Sequence, residues 1–207
     1  RLCIASLPAG LIAATLISHL ALAFAIAVTL AGYAYNLKLK EFGPIGNIYI
    51  AFSMAAPFIF GSIVAKGCVE PSVVLLSSMA FLSGIGREIM KGIEDVEGDA
   101  LRNAKTIART RGTKTAAKLA AIFYVSAVMI SPLPLFTLKK YYMDPKYAFP
   151  VAATDAILLW VAVKLIESHD RYAISKYRKQ TLAAMLLGIF FGVAPILFVA
   201  ANGLVIG

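Results

Sequence analysis

Ser72-Val-Val-Leu-Leu-Ser-Ser-Met-Ala-Phe-Leu-Ser-Gly-Ile-Gly-Arg87-Glu-Ile-Met-Lys91-Gly-Ile-Glu-Asp95-Val-Glu-Gly-Asp99-Ala-Leu-Arg102 is an apolar run that ends in a knot of carboxylates. From Ser72 to about Lys91 it has the length of a bilayer-spanning helix, which needs about 20 mainly apolar residues. Five of the chain's 11 acidic residues fall between Glu88 and Asp99. The fold is decided by the first half of this segment and the chemistry by the second.

Working outward, six further apolar blocks have comparable character: Leu2 to Ile17, Leu20 to Tyr35, Ile48 to Ala65, Ala116 to Ser131, Ala148 to Ile166 and Thr181 to Ala201. Composition agrees, with 60% hydrophobic and 15% charged residues and a mean hydropathy of +0.80. Soluble domains are nearer 45–50% apolar and 25% charged, and about 200 residues cannot bury such an excess in one water-soluble core. The chain is therefore read as an all-α, polytopic transmembrane helix bundle with seven visible spans, forming a single domain over residues 1–207. Gly84, Gly86, Gly188 and Gly192 are read as close-packing positions between helices.

The net charge of +9 would suggest nucleic acid in a soluble protein. In a membrane protein it speaks of topology and an anionic ligand, so membrane lipids are expected as surroundings and nucleic acid is not a partner. Thirteen of the 20 Lys and Arg lie in one set of alternate connections, around Lys38, around Arg102 and around Arg178, and four in the other set. The positive-inside rule places the first set, with the aspartates, in the cytoplasm of a multi-pass cell-membrane protein. Cys3 and Cys68 form no CxxC pair and are read as packing residues.

On a helix, Asp95 and Asp99 would share a face. Two neighbouring carboxylates repel unless a cation joins them, and hard oxygen ligands suit Mg²⁺ completed by water and phosphate. Arg87 and Lys91 precede Asp95 at four-residue steps and Arg102 follows Asp99 by three, which supplies cations for an ionised diphosphate. Ordinary ion pairs at a helix end are the structural alternative. Against it, acidic groups at a helix C-terminus oppose the macrodipole. A transporter is the alternative from another class, with Asp155, deep in a late span, as its best foothold.

The run Arg87-Glu-Ile-Met-Lys91 followed by Ile93-Glu-Asp-Val-Glu-Gly-Asp99 resembles the second aspartate-rich motif of the UbiA-type intramembrane prenyltransferases. Its continuation through Lys105-Thr-Ile107 to Gly112 is looser, with Asn103 and Ala108 where Gly and Pro are usual. Tyr35-Asn-Leu-Lys-Leu-Lys40 before Gly46-Asn47 is similar to the family's tyrosine–lysine loop. The resemblance extends over most of the chain. It is greatest to the archaeal ether-lipid branch, whose members attach a geranylgeranyl chain to the free hydroxyl of geranylgeranylglyceryl phosphate; Ser131-Pro-Leu-Pro134 adds to that likeness.

This resemblance implies Mg²⁺ on Asp95 and Asp99, both catalytic, and a diphosphate bound by Arg87, Lys91, Lys38, Lys40, Lys105 and Tyr35. The substrates it implies are an isoprenyl diphosphate and a lipid-phosphate acceptor, an aromatic quinone precursor being the alternative acceptor. Family members often carry Asp where Gly92 stands, and the family's first motif, N-D-x-x-D-x-x-x-D, occurs nowhere in the 207 residues. The family has nine helices, so two more and the first motif are expected upstream of Arg1.

Overall fold

The computed structural model describes residues 2–193 apart from 169, with side chains from residue 6 onward. Among these residues the chain is helical throughout its regular structure. The long helices are α1 (Leu2–Ile17), α2 (His19–Leu37), α3 (Gly43–Lys66), α4 (Pro71–Glu94), α7 (Thr113–Ile130), α9 (Pro145–Glu167) and α10 (Arg171–Leu187). Short helices α5 (Val96–Leu101), α6 (Ile107–Arg111) and α8 (Leu133–Thr137) fill the connections. A 3₁₀ turn covers Leu39–Glu41, and α10 continues as a π-helical turn over Gly188–Val193. Among the described residues five helical segments (α2, α3, α4, α7 together with α8, and α9) are long and apolar enough to cross a membrane, and Ser6–Ile17 is a shorter apolar helix. The expected last span begins in α10, and its portion beyond Val193 lies outside the described residues.

Local sequence starts and stops these helices. Ser18 caps α2 by accepting the Ala21 amide at 3.0 Å. Asp144 caps α9 and Asp170 caps α10 in the same way, each satisfying amides that a helix start leaves orphaned. Pro71 and Pro145 open α4 and α9, where a missing N–H costs nothing. Gly67 closes α3 at φ 70°, a left-handed conformation that glycine adopts without penalty. The Ser62 hydroxyl then donates to the Cys68 carbonyl at 2.8 Å and accepts the Glu70 amide at 3.0 Å, fixing the turn into α4.

Helix α4 is central and packs on α3, α7 and α10, while α9 lies against α7 and α10. Its neighbour α7 presents a stripe of buried Ala116, Ala117, Ala120, Ala121, Tyr124 and Ala127, small enough for close approach in lipid. The glycines read as packing positions lie at such approaches. A Cβ on Gly84 would come within 3.2 Å of the Ala51 Cα, and one on Gly86 within 3.1 Å of both the Ala120 carbonyl and the Tyr124 ring. A Cβ on Gly188 would stand 2.8 Å from the Thr154 hydroxyl. Gly86→Val is accordingly expected to force α4 and α7 apart and cost about 1–3 kcal/mol. Thermal unfolding of detergent-solubilised protein checks this, an unchanged midpoint contradicting the packing role.

A second, smaller core of Leu76, Tyr141, Tyr147 and Val193 closes the end of the bundle away from the aspartates. The Tyr141 and Tyr147 rings lie 5.1 Å apart. Burial, with help from Glu70, pushes the Tyr141 hydroxyl up to about 12, the mark of a dry site.

Candidate functional site at the aspartate end of the bundle

Helix α4 does not run through the aspartates as one helix. It ends at Glu94, Asp95 takes φ −109° and ψ 26°, and α5 begins at Val96. The i,i+4 relation survives the break, since the Asp99 amide still donates to the Asp95 carbonyl at 2.8 Å. The break corrects one expectation. Glu97 and Asp99 stand in the first turn of α5, where the backbone favours negative charge, so the unfavourable macrodipole cannot explain why they need a cation.

What the carboxylates do share is a positive partner. One nitrogen of Arg102, Nη2, touches both the Asp95 carboxylate and Asp99 Oδ1, the latter at 3.2 Å. Asp99 is buried, and Asp95 is more open, its side chain 42% exposed. Around them is a cavity of about 470 Å³ lined by Asp95, Asp99, Lys91, Lys40, Tyr35 and Arg102, together with Glu41, Glu88, Asn47 and Thr106. Of the eight residues assigned to the site from sequence, Tyr35, Lys40, Lys91, Asp95 and Asp99 thus converge on one space. Lys38 and Lys105 are exposed beside it and are not among its lining residues. Arg87 lines a second, apolar cavity, one helical turn from Lys91 along α4.

Two chain segments far apart in sequence are locked together to make the space. The Lys105 amide donates to the Glu41 carbonyl at 3.1 Å. Gly43 lies directly under residues 105 and 106, where any Cβ would overlap the Lys105 carbonyl. Tyr35 stacks on Tyr49 with ring centroids 4.7 Å apart, which fixes its edge of the cavity. On the far side Arg178 pairs with Glu94, and Arg171 with Glu97 at 3.3 Å, tying α10 to the aspartate segment. Asn103, the departure from the family's glycine, has φ 54°. This left-handed conformation is one that Asn tolerates better than most residues, so the substitution keeps the turn. Its side chain also accepts from Arg109 Nη2 at 3.1 Å.

Sequence reasoning missed Glu41, Asn47 and Thr106 as lining residues. Nothing in hydrophobic periodicity marks them, because the 3₁₀ turn brings in Glu41, the start of α3 brings in Asn47 and the 102–106 loop brings in Thr106. Glu88 was visible as an acidic group within a span; it is buried and pairs with Lys91 at 3.6 Å. Gly92 lines the cavity without a carboxylate.

The lining residues fit magnesium. Four carboxylates (Glu41, Glu88, Asp95, Asp99) face three cationic side chains (Lys40, Lys91, Arg102). The wall is therefore slightly negative, and a diphosphate needs an added cation to enter. The Asp95–Asp99 pair already gathers one positive group. Thr106 adds a buried hydroxyl that has no hydrogen-bond partner among the described residues. Among the described residues no three His, Cys, Asp or Glu side chains are arranged as a metal cluster.

The second cavity, of about 280 Å³, lies among α3, α4, α7, α9 and α10 and is largely apolar. Arg87 stands at its aspartate end. Asp155, the residue that would have favoured a transporter, lines it too, but the Ser131 hydroxyl donates to its carboxylate.

The sequence matches the UbiA prenyltransferase family over residues 1–188. Digeranylgeranylglyceryl phosphate synthase of Archaeoglobus fulgidus is 56% identical over 188 residues, 91% of this chain and 64% of the relative. The enzyme of that name from Thermococcus sibiricus is 33% identical over 87% of this chain and 62% of its own. A solved structure concerned with digeranylgeranylglyceryl phosphate synthase in membranes superposes with a TM-score of 0.81 at 29% identity, covering 93% of this chain and 67% of that one. The chain thus spans slightly under two thirds of the length of these curated relatives. With its helical bundle, its paired aspartates and a family match over most of its length, this chain belongs to the UbiA prenyltransferase family.

Proposed function

We propose that this chain acts in archaeal ether-lipid synthesis, transferring a geranylgeranyl group from geranylgeranyl diphosphate to the free hydroxyl of geranylgeranylglyceryl phosphate. The observation that carries this reading is the adjacency of two cavities along α4. The charged one holds Asp95, Asp99, Lys91, Lys40 and Tyr35, and the apolar one begins one turn away at Arg87. A charged head followed by a long hydrocarbon tail fits such a pair. The names of the curated relatives support the choice of acceptor.

In this reading Asp95 and Asp99 would hold magnesium. Bound there, the ion would neutralise the diphosphate and stabilise it as a leaving group. Lys91 and Lys40 pair with phosphate oxygens, Tyr35 and the free hydroxyl of Thr106 offer hydrogen bonds, and Arg87 faces the first carbons of the tail. Lys38 and Lys105, exposed at the rim, steer the anion inward. The bond between the allylic carbon and the diphosphate oxygen breaks with its electrons going to diphosphate. The acceptor hydroxyl then bonds that carbon and loses its proton to water or phosphate. The aspartate end faces the cytoplasm of the cell membrane, where both water-soluble head groups are reached.

The test is transfer by purified full-length protein supplied with labelled geranylgeranyl diphosphate and either geranylgeranylglyceryl phosphate or an aromatic quinone precursor. Label is expected on the glycerol hydroxyl alone. Transfer only to the ring would overturn the acceptor assignment.

Arg102 competes for the carboxylates that are to hold the metal. Arg102→Gln is therefore expected to tighten Mn²⁺ binding to substrate-free protein severalfold, the modest size reflecting an exposed, screened guanidinium. Electron paramagnetic resonance of free and bound Mn²⁺ measures this; equal affinity in both proteins would show no competition.

A further inference from the structure

Arg87 carries a charge that nothing among the described residues neutralises. The neighbouring cations have partners: Lys91 pairs with Glu88 at 3.6 Å, Arg102 with Asp95 and Asp99, and Arg178 with Glu94. Arg87 makes no ion pair, and its Nε is buried without a hydrogen-bond partner. The residue is half-buried in α4, one turn further into the span than Lys91. A guanidinium held there is costly unless an anion meets it, and charges kept within a span mark function.

The surroundings supply no such anion. Glu88 follows Arg87 in sequence but lines the charged cavity and faces Lys91. Asp155 lines the same apolar cavity as Arg87, but its carboxylate accepts from the Ser131 hydroxyl and joins no ion pair among the described residues. Tyr124, whose ring packs at Gly86, brings a hydroxyl within electrostatic reach and no charge. The proposed reaction, by contrast, brings two anions. The donor diphosphate belongs in the charged cavity with Lys91 and Lys40, and Arg87 is not among the residues lining that space. The phosphate of the acceptor is left.

We infer that Arg87 binds the phosphate group of the acceptor, and so selects a phosphorylated glycerol lipid over the corresponding free alcohol. The inference rests on the proposed function and gives its second substrate a head-group site. Arg87 faces the first carbons of the donor tail, where the allylic cation forms. A bare guanidinium would repel that cation, whereas one paired with phosphate does not. The acceptor hydroxyl must reach the same carbon, and its phosphate hangs from the same glycerol, so the two requirements are met together. The planar fork of Arg87 can hold two phosphate oxygens at once, which also aims the hydroxyl.

The experiment uses purified protein in nanodiscs with Mg²⁺ and geranylgeranyl diphosphate. It compares kcat/KM for geranylgeranylglyceryl phosphate and for geranylgeranylglycerol, beside the Kd of geranylgeranyl thiolodiphosphate, a non-ionising donor analogue. Wild type is expected to prefer the phosphorylated acceptor. Arg87→Gln is expected to cut that preference about 10–100-fold, the worth of a charge-assisted hydrogen-bonded pair, while the donor analogue's Kd moves by less than about threefold. Arg87→Lys, which keeps the charge and loses the fork, is expected to fall between the two, and it decides the matter if Arg87→Gln does not fold. A wild type without preference for the phosphate would overturn the inference, as would an unchanged preference in both variants or a loss equal for the two acceptors. Weakening of the donor analogue as large as the loss of acceptor use would also overturn it, by returning Arg87 to the diphosphate. If wild type transfers to neither acceptor, the proposed function falls, and the inference with it.

Discussion

Replacement of Asp99 by Ala is expected to reduce the proposed geranylgeranyl transfer by about 10³-fold, and of Asp95 by about 10²–10³-fold, with little change in fold. Removing one preorganised group that stabilises developing charge costs that much in other enzymes. Asp99 has the larger expected effect because it is buried, while the Asp95 side chain is 42% exposed. A buried carboxylate holds one position, whereas an open one is screened and more easily replaced by water. Each substitution also leaves Arg102 paired with the remaining aspartate alone, so that the guanidinium, rather than a metal, dominates the site. The reading is kcat and KM with geranylgeranyl diphosphate, beside a thermal midpoint within a few degrees of wild type. Wild-type turnover in either variant would remove that aspartate from the site.

Gly43→Val is expected to have the second largest effect, although residue 43 bears no chemistry. Gly43 is buried under the 105–106 backbone, and a Cβ would overlap the Lys105 carbonyl and the Thr106 Cα. Backbone, unlike the tip of a side chain, cannot swing aside. The substitution must therefore part the two segments whose contact is the hydrogen bond from the Lys105 amide to the Glu41 carbonyl. One segment carries Tyr35 and Lys40, and the other leads into Asp99, Arg102 and Thr106. Separating them enlarges the cavity and misplaces the cations by an ångström or more, enough to cost about 10²-fold in rate. Stability is expected to fall by about 1–3 kcal/mol. Thermal unfolding and the KM for the diphosphate read the two consequences separately. A variant with wild-type stability and KM would show that the contact is unimportant.

Much of this molecule is legible in its sequence because lipid imposes a simple rule. Backbone groups must be satisfied within helices, so long apolar runs between basic connections read directly as spans. The stripe from Ala116 to Ala127 and the glycines at 84, 86 and 188 mark the close contacts just as plainly. The core of the site is visible too: Asp95, Asp99 and Lys91 lie four residues apart, and the backbone bond from Asp99 to Asp95 keeps that spacing through the helix break. What could not be read is whatever the connections decide. Asp95 and Asp99 read as one face at a helix C-terminus, yet the chain turns at Asp95 into α5. Lys38 and Lys105 look equivalent to Lys40, but the 3₁₀ turn leaves Lys40 in the cavity wall and the other two outside it. Arg87 shares a face with Lys91 on a helical wheel, and one turn along α4 is enough to move it from a charged cavity to an apolar one. Asp155 reads as a lone charge within a span. Only the return of α9 against the end of α7 gives it Ser131 as a partner.

Equilibrium binding of geranylgeranyl thiolodiphosphate to the full-length protein, with and without Mg²⁺ and in an Asp95→Asn, Asp99→Asn double variant, tests the assignment of the aspartate pair most directly. Binding is expected to weaken by at least about 10²-fold when Mg²⁺ is removed, to weaken as much in the double variant, and to lose its dependence on Mg²⁺ there. Tight binding that ignores both the metal and the two aspartates would contradict it.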